Sequence, residues 1–176
     1  MSIINLGMEE LINEPLEDES MKNTNNTSVT PSGVRAMLHK AVCDEFTAEY
    51  QYIIAEHIAR GAGYCDVTPE YKQHAEEEHD HALKLLKRLE QLDEKFTLDL
   101  AHVQTDGNPW VPIVTSSITE QLDILIKAEK DAQVFYNKII DQARTEHDEI
   151  TVRLMKELLT DECEHETDLK RIREQF

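Results

Sequence analysis

The chain has 176 residues, enough for one domain with a sizeable apolar core. Its 36 Asp and Glu residues outnumber its 18 Lys and Arg residues, which gives a formal net charge of −18. This balance argues against direct DNA binding, which needs clustered cations, and favours a surface that attracts cations. No segment approaches the roughly 20 apolar residues of a membrane span, and the cysteines form no CxxC pair. We therefore expect a cytoplasmic protein with reduced thiols and no membrane contact.

Residues 1–29 differ from the rest of the chain. They contain an acidic stretch, MEELINEPLEDES, followed by a polar one, MKNTNNTS, and neither has a regular apolar period. This composition is typical of an extension that does not build a core by itself. The sequence thus predicts an N-terminal extension, 1–29, and a single domain, 30–176.

Helix boundary signals divide the domain into four long helices. Thr30–Pro31 supplies an N-cap and a first-turn proline for a helix that reaches about Arg60, where glycines at 61 and 63 end it. Thr68–Pro69 repeats the start signal for a second helix, which extends to about Asp93. The first two helices are therefore joined by a short turn.

The second half of the chain follows a different spacing. Residues 94–116 contain Asp-Gly and Asn-Pro pairs that break helices, so they form a long connection. Ser117 and Glu120 make a capping box for a third helix that ends near Arg144, and a break at 145–147 leads to a fourth helix ending near Glu174. The order predicts an all-α four-helix bundle with one long crossover between its second and third helices, and almost no strand.

Each helix carries a glutamate on its apolar stripe. At about 100° per residue, the stripe of the first helix comprises Leu38, Val42, Phe46, Glu49 and Ile53. The corresponding glutamates of the other helices are Glu78, Glu129 and Glu162. A buried carboxylate without a partner is costly, and no Lys or Arg lies on these stripes beside the glutamates. Metal ions are the remaining candidates to compensate the four charges.

Two of these glutamates are followed by a histidine three positions later. Glu78 and His81 form Glu-x-x-His in the second helix, and Glu162 and His165 form it in the fourth. Residues at this spacing lie on one helix face, so both side chains can reach the same ion. With Glu49 and Glu129 the chain offers four carboxylates and two imidazoles, the ligand set of a di-iron or di-manganese carboxylate site.

The stretch EEEHDHA at 76–82 contains a second Glu-x-x-His, made by Glu76 and His79. Glu76 points about 145° away from the apolar stripe by helical geometry, and Glu77 and Asp80 are also expected to point away. We therefore assign Glu78 and His81 as the pair and keep His79 as a candidate that supports the site without binding the ion.

These motifs resemble those of the ferritin-like superfamily over about residues 31–174. AEYQY, EHDHA, AEKDA and DECEH are similar to the four ligand-bearing segments of bacterioferritin and rubrerythrin. The resemblance implies that Glu49, His81, Glu129 and His165 are terminal ligands of two iron ions and that Glu78 and Glu162 bridge them. It further implies a ferroxidase, which oxidises Fe(II) with hydrogen peroxide or dioxygen and mineralises Fe(III) inside a homo-oligomeric shell.

The sequence departs from that pattern in three places. The methionine that binds haem in bacterioferritin is replaced by His79, so we predict no haem. Glu56 stands where related proteins often have tyrosine; Glu56, Glu45 and His74 are further candidates for the surroundings of the site. The chain ends 11 residues after His165, too early for the short fifth helix of 24-subunit ferritins. This favours a 12-subunit shell of the Dps type.

A complete site within one bundle of Dps size resembles the Dps-like group called thioferritins, whose members carry a cysteine pair. Cys163 follows Glu162 directly and Cys65 lies between the first two helices, so these are the candidates for such a redox pair. The alternative is that they are ordinary buried or interface thiols.

Two other functions use the same sequence features. A rubrerythrin-like peroxidase or a manganese catalase would use the same ligand set, although a rubrerythrin would normally carry a CxxC iron domain that this sequence lacks. A non-catalytic acidic helical scaffold would make both Glu-x-x-His pairs accidental. Metal content and subunit number distinguish the three.

Overall fold

The computed structural model describes residues 33–92, 98–108 and 111–176. They form four long helices and one short one: α1 (Val34–Ile58), α2 (Tyr64–Gln91), α3 (Leu100–Asp106), α4 (Ile118–Thr145) and α5 (Glu149–Arg173). α1 pairs with α2 and α4 pairs with α5, and the connection through α3 joins the two hairpins. The predicted all-α bundle with one long crossover is confirmed. Within the described residues the only β pairing is an isolated bridge between Arg60 and Ser117.

The first helix boundary differs in detail from the sequence expectation. The predicted start at Thr30–Pro31 and the extension 1–29 lie outside the described residues. α1 begins at Val34, whose backbone N–H donates to Glu146 Oε1 at 2.9 Å. Gly33 precedes it with a φ of 63°, and a side chain there would collide with the Glu146 carboxylate. The start of α1 is thereby fixed against the end of α4.

α2 begins four residues before the predicted N-cap at Thr68. Gly63 adopts the left-handed conformation, with φ 85°, and its carbonyl accepts hydrogen bonds from the backbone N–H groups of Asp66 and Val67. Thr68 is therefore already helical, and its hydroxyl donates to the carbonyl of Tyr64 at 2.9 Å. Pro69 lies inside the helix. Sequence reasoning placed the start too late because it took Pro69 as a first-turn residue.

The remaining boundaries agree more closely. The Ser117 hydroxyl accepts from the backbone N–H of Glu120, as expected for the cap of α4. Asp148 caps α5 by accepting from the backbone N–H of Thr151 at 3.0 Å. The short helix α3 lies within the segment expected to be a connection, and Asp99 caps it.

The core consists of two apolar layers at opposite ends of the bundle. One contains Leu38 and Val42 of α1 with Leu85 and Leu89 of α2 and the facing residues of α4 and α5. The other contains Tyr52 and Ala55 of α1 with the facing residues of α2, α4 and α5. Each of the four long helices passes through both layers, and the segment between the layers is polar. No described helix is long and apolar enough to cross a membrane.

Candidate metal centre

A polar layer occupies the middle of the bundle, between the two apolar layers. Its six ionisable side chains are almost inaccessible to solvent, with relative exposures of 3% or less. α1 and α4 contribute one carboxylate each, and α2 and α5 contribute one carboxylate and one imidazole each. The six residues are Glu45, Glu78, His81, Glu129, Glu162 and His165.

The layer divides into two overlapping groups of four residues. Glu45, Glu78, His81 and Glu162 offer donor atoms that all lie within 4.8 Å of one another. A second group with the same spacing contains Glu78, Glu129, Glu162 and His165. Glu78 and Glu162 belong to both groups, so these two carboxylates occupy the position between two potential ion sites.

Both histidines direct the same ring nitrogen into the layer. His81 Nδ1 lies 3.1 Å from Glu162 Oε1, 3.3 Å from Glu78 Oε2 and 3.7 Å from Glu45 Oε2. His165 Nδ1 lies 3.3 Å from Glu78 Oε1 and 3.9 Å from both Glu129 Oε2 and Glu162 Oε2. The imidazoles thus contact the carboxylates of neighbouring helices as well as that of their own.

The outer nitrogen of each histidine contacts a carboxylate that sequence reasoning missed. His165 Nε2 lies 2.8 Å from Glu77 Oε2, and His81 Nε2 lies 3.1 Å from Asp161 Oδ2. Such outer carboxylates fix the orientation and tautomer of metal-binding histidines. Glu77, expected to point away from the stripe, thus reaches the histidine of the other helix. The available signal was the acidic residue that precedes the glutamate in both motifs, Glu77-Glu78 and Asp161-Glu162.

The two outer contacts are related by the internal symmetry of the bundle. The residue before Glu78 on α2 contacts the histidine of α5, and the residue before Glu162 on α5 contacts the histidine of α2. α2 and α5 are antiparallel here, so each Glu-x-x-His motif supports the other. A prediction made from the pattern of one helix at a time cannot assign these contacts between α2 and α5.

The carboxylate of Glu129 has a different partner. The hydroxyl of Tyr52, itself 1% exposed, donates a hydrogen bond to Glu129 Oε1. Burial, and then the charge of Glu129, raise the pKa of Tyr52 well above its usual value, so the phenol remains a donor. Tyr52 therefore holds Glu129 in place from the opposite side of the layer.

The structure brings together five of the six predicted ligands and separates the sixth, Glu49. Glu49 lies one helical turn from Glu45, is partly exposed, and contacts His79 Nδ1 at 3.2 Å. Glu45 is the α1 residue whose carboxylate enters the layer, with 3% relative exposure. The position expected for Glu49 is therefore taken by Glu45.

The physical reason is the size of the apolar residues on α1. The buried face follows Leu38, Ala41, Glu45, Tyr52 and Ala55, which are spaced by three or four residues or by two turns. The larger side chains used to define the stripe, Phe46 and Ile53, instead line a cavity of about 950 Å³ beside the crossover. Beyond Val42 the inner face thus follows Glu45, Tyr52 and Ala55, whereas the bulky Phe46 and Ile53 lie outside it.

The remaining candidates lie at different distances from the layer. Glu56 is partly buried and contacts His57 at 3.7 Å. His79 is half-exposed and contacts Glu49, so neither residue joins the two four-residue groups. His74 is 1% exposed, and its ring stacks on His165 with 4.1 Å between the ring centroids. Of these three, His74 alone touches the layer.

The cysteines do not form a pair within one chain. Cys65 and Cys163 are exposed and Cys43 is buried. Cys65 lies in the first turn of α2, close to Gly63, and Phe176 at the end of the chain packs against Gly63. Cys163 lies 13 residues before Phe176, roughly 20 Å away along the helix at 1.5 Å per residue. A redox pair of these two thiols within one subunit therefore does not fit the geometry.

Burial raises the pKa of two carboxyl groups in the layer. Burial and then the charge of Glu78 raise the pKa of Glu45 well above its usual value, and burial and then the charge of Glu162 do the same for Glu129. Burial alone would also raise the pKa of Glu78, but the close contacts of its carboxylate with the His165 and His81 imidazoles lower it well below its usual value. Burial in the absence of a cation thus favours the neutral forms of Glu45 and Glu129.

Burial acts on the pKa values of the two histidines in the opposite direction, but neighbouring carboxylates outweigh it. Burial alone would lower the pKa of His165, but the contacts with Glu78 and Glu162 raise it to about 9. Burial also opposes the charged form of His81, and its close contacts with the carboxylates of Glu162, Glu45 and Glu78 outweigh burial and raise that pKa. Imidazolium groups therefore compensate the carboxylates in the metal-free layer.

The layer nevertheless leaves several buried polar atoms without a hydrogen-bond partner. They are Glu78 Oε1 and Oε2, Glu162 Oε1, His81 Nδ1 and His165 Nδ1. Buried polar atoms are rarely left unpaired in proteins. Carboxylate oxygens and imidazole nitrogens are suitable donors for Fe(II) and Mn(II), so two divalent cations would satisfy both the unpaired atoms and the charge. The residues present fit a dinuclear metal centre.

Two cavities reach the layer from opposite sides. One, of about 150 Å³, opens between α1 and α4 and is lined by Ala48, Tyr52, Leu125, Ala128 and Glu129 among others. The other, of about 160 Å³, opens between α2 and α5 and is lined mainly by acidic residues and histidines. Small molecules and cations therefore have short routes to the layer.

Comparison with known proteins assigns the family. The sequence profile of the Ferritin-like domain family matches residues 35–176, and the chain belongs to this family. No curated protein sequence matches it. One similar solved structure is described as a dodecameric thioferritin, the bacterioferritin-related protein from Bacteroides fragilis. It has 27% sequence identity and a TM-score of 0.75, over 79% of this chain and 83% of that one.

Two Dps structures are similar in fold at lower identity. Dps from Thermosynechococcus elongatus has a TM-score of 0.75 and 15% identity over 78% of this chain and 88% of that one. Dps from Staphylococcus aureus has the same TM-score with 12% identity over 78% and 93% of the two chains. The predicted resemblance to Dps-type and thioferritin-type members of the ferritin-like superfamily is confirmed. Within that family, this chain has the site residues of a candidate dinuclear metal centre.

Proposed function

We propose that this protein is a ferroxidase and iron-storage protein, which oxidises Fe(II) at the polar layer and keeps the ferric product in a homo-oligomeric shell. One observation carries the proposal: two four-residue ligand groups share Glu78 and Glu162. This arrangement brings two ions next to each other, as an oxidation that removes one electron from each of two Fe(II) ions requires. Membership of the Ferritin-like domain family supports the same function.

Each residue has a role that follows from its place in the layer. Glu45 and His81 bind one ion, Glu129 and His165 bind the other, and Glu78 and Glu162 bridge them. Carboxylates are hard donors, which favour Fe(III) over Fe(II) and so promote the oxidation. Asp161 and Glu77 hold the two imidazoles with Nδ1 facing the ions, because each accepts a hydrogen bond from the outer Nε2.

The substrates are Fe(II) and a two-electron oxidant. With hydrogen peroxide the balanced step is 2 Fe(II) + H₂O₂ + 2 H⁺ giving 2 Fe(III) + 2 H₂O, and dioxygen is the alternative oxidant. Because both electrons leave in one event, hydroxyl radical is not released. The same ligand set also accepts Mn(II), so iron and manganese are both candidate occupants in the cell.

An oligomeric shell is supported by the relatives and by the surface. The Bacteroides fragilis structure is described as dodecameric. In this chain Tyr50 and Ile53 of α1 and Leu100 of α3 are large apolar residues with 54%, 38% and 84% exposure. Exposed apolar groups of this size typically mark contact surfaces. A 12-subunit shell would cover them and enclose the mineral.

The test compares Fe(II) oxidation by wild-type protein and by Glu78→Gln/Glu162→Gln, with Glu76→Gln as the matched control. Glu76 lies on the same helix, but 72% of its side chain is exposed. We expect the double variant to lose at least 100-fold in initial rate and the control to retain the wild-type rate. Equal rates for all three proteins would contradict the proposal. Turnover of peroxide without retention of ferric product would instead assign a peroxidase or catalase.

A further inference from the structure

A second group of potential metal ligands lies outside the dinuclear centre, on the α2–α5 face. Glu70 and His74 are one turn apart on α2, and Asp168 lies opposite them on α5. One donor atom of each lies within 4.8 Å of the other two. The group therefore offers two carboxylate oxygens and one imidazole nitrogen to a single point.

The histidine of this group lacks the partners expected of a buried imidazole. His74 is 1% exposed, and its Nδ1 has no hydrogen-bond partner within the described part of the chain. Its Nε2 faces Glu70 Oε1 at 3.4 Å without making a hydrogen bond of normal length. A polar ring this deeply buried needs a partner, and a cation bound by Nε2 and the two carboxylates would give the ring one on the side that faces Glu70.

The two carboxylates of the group lie close to each other. Burial, and then the charge of Asp168, raise the pKa of Glu70. Asp168 Oδ1 pairs with Arg171 Nη2 at 2.8 Å, but 69% of the Arg171 side chain is exposed. An exposed pair of this kind contributes little to stability. Arg171 is therefore a weak competitor for a cation that binds both carboxylates.

The group is also open to solvent on one side. The side chains of Glu70 and Asp168 are 21% and 31% exposed. His74 and Asp168 line the acidic cavity of about 160 Å³ between α2 and α5. On the inner side, the His74 ring stacks on His165 at 4.1 Å between centroids. An ion in this position would be separated from the dinuclear centre by the thickness of one stacked pair of rings.

We propose that Glu70, His74 and Asp168 form a third, mononuclear site for a divalent cation of the Mn(II), Fe(II) or Zn(II) type. Mixed carboxylate and imidazole donors suit these ions. Binding at this site does not depend on the proposed oxidation of iron, because none of its three ligands belongs to the dinuclear centre. Solvent exposure and the competing Arg171 make it the weakest of the three ion sites.

The test measures bound Mn(II) per subunit by equilibrium dialysis in physiological salt. Glu70→Gln/Asp168→Asn removes both carboxylates of the third site. The matched control, Asp80→Asn/Glu164→Gln, removes two acidic groups that line the same cavity. We expect three ions per subunit for wild type and for the control, and two for Glu70→Gln/Asp168→Asn. Wild-type stoichiometry in the latter variant would overturn the proposal.

Two further variants separate this proposal from the dinuclear centre. Glu78→Gln/Glu162→Gln should lose two ions and keep one. Adding Glu70→Gln/Asp168→Asn to that variant should remove the remaining ion. Arg171→Ala should tighten the weakest site by about two- to fivefold, because it removes an exposed competing cation. An unchanged or weaker affinity in Arg171→Ala would contradict the assigned geometry. If only the third ion binds to wild type, this proposal stands and the proposed ferroxidase centre fails.

Discussion

Glu77 on α2 holds His165 on α5, with 2.8 Å between Oε2 and Nε2. Asp161 on α5 makes the reciprocal contact to His81 on α2 at 3.1 Å. The two long hairpins of the bundle are thus linked through the histidines of the polar layer. The orientation of each imidazole depends on a residue that sequence reasoning placed outside the site or did not single out.

These outer carboxylates should influence metal binding without touching the ions. We expect Glu77→Gln and Asp161→Asn each to weaken Mn(II) affinity by about 10- to 100-fold, the usual effect of removing such a partner from a metal-binding histidine. Isothermal titration calorimetry measures the change. Glu164→Gln, which lines the same cavity, is the control and should bind as wild type does. Unchanged affinity in both variants would show that the histidines are positioned by packing alone.

The assignment of Glu45 over Glu49 can be tested directly. Glu45→Gln removes a buried carboxylate of the layer, whereas Glu49→Gln removes a partly exposed one that pairs with His79 and belongs to neither four-residue group. We expect Glu45→Gln to lose one bound Mn(II) per subunit and at least 10-fold in the Fe(II) oxidation rate. Glu49→Gln should change either quantity by less than about twofold. Larger losses in Glu49→Gln than in Glu45→Gln would favour Glu49 as the metal ligand of α1, as the sequence predicted.

Tyr52 should matter most when no metal is bound. Tyr52→Phe leaves the buried Glu129 carboxyl group without its hydrogen bond, which costs about 1–3 kcal/mol. Thermal unfolding in the presence of EDTA should therefore show a lower Tm than wild type. With saturating Mn(II) the difference should shrink, because an ion then satisfies Glu129. A Tm difference that is the same with and without metal would contradict this role.

Asp148 links stability to pH away from the metal centre. Burial alone would raise the pKa of Asp148, but hydrogen bonds from Arg88 and Thr151 lower it. A carboxyl group with a lowered folded-state pKa stabilises the protein above its unfolded-state pKa of about 3.9, and this contribution is lost as the pH falls through the lower folded-state value. The loss begins near pH 4, where the unfolded chain starts to bind the proton.

Substitution at Asp148 should remove this dependence. Asp148→Asn keeps an oxygen for the α5 cap but loses the charge beside Arg88, which is 9% exposed. We expect a loss of about 1.5–3 kcal/mol at pH 7 and a flatter pH dependence between about pH 5 and 2. Urea unfolding at several pH values measures both. The control is Arg144→Gln, because the ion pair between Arg144 and Asp141 is exposed. Its effect on the free energy of unfolding should be below about 1 kcal/mol.

The sequence predicted the bundle because the apolar spacing is regular along α2, α4 and α5 and because Ser117 marks the start of α4. Glu78, Glu129 and Glu162 replace apolar residues on stripes that are otherwise unambiguous, and all three are buried as expected. α1 is the exception, since beyond Val42 the large Phe46 and Ile53 line the cavity beside the crossover, whereas the inner face continues through Glu45. Residue size therefore shifted the expected register by one turn, from Glu45 to Glu49.

Contacts between helices were the other part that sequence could not supply. Glu77 and Asp161 act on histidines 88 and 80 positions away along the chain, and Glu70, His74 and Asp168 meet only after α2 and α5 pack. The periodicity of one helix gives the direction of a side chain to within one face. Which residue of a neighbouring helix it reaches depends on the axial offset between the helices, which the periodicity does not contain.

In the proposed function, Glu78 and Glu162 lie between two ions in the middle of the bundle. Anomalous diffraction from crystals soaked in Mn(II) locates the ions and tests this placement. We expect two strong peaks in the polar layer, both in contact with Glu78 and Glu162, one beside Glu45 and His81 and the other beside Glu129 and His165. A polar layer without anomalous density at saturating Mn(II), or peaks bound by Glu49 and His79 instead, would contradict it.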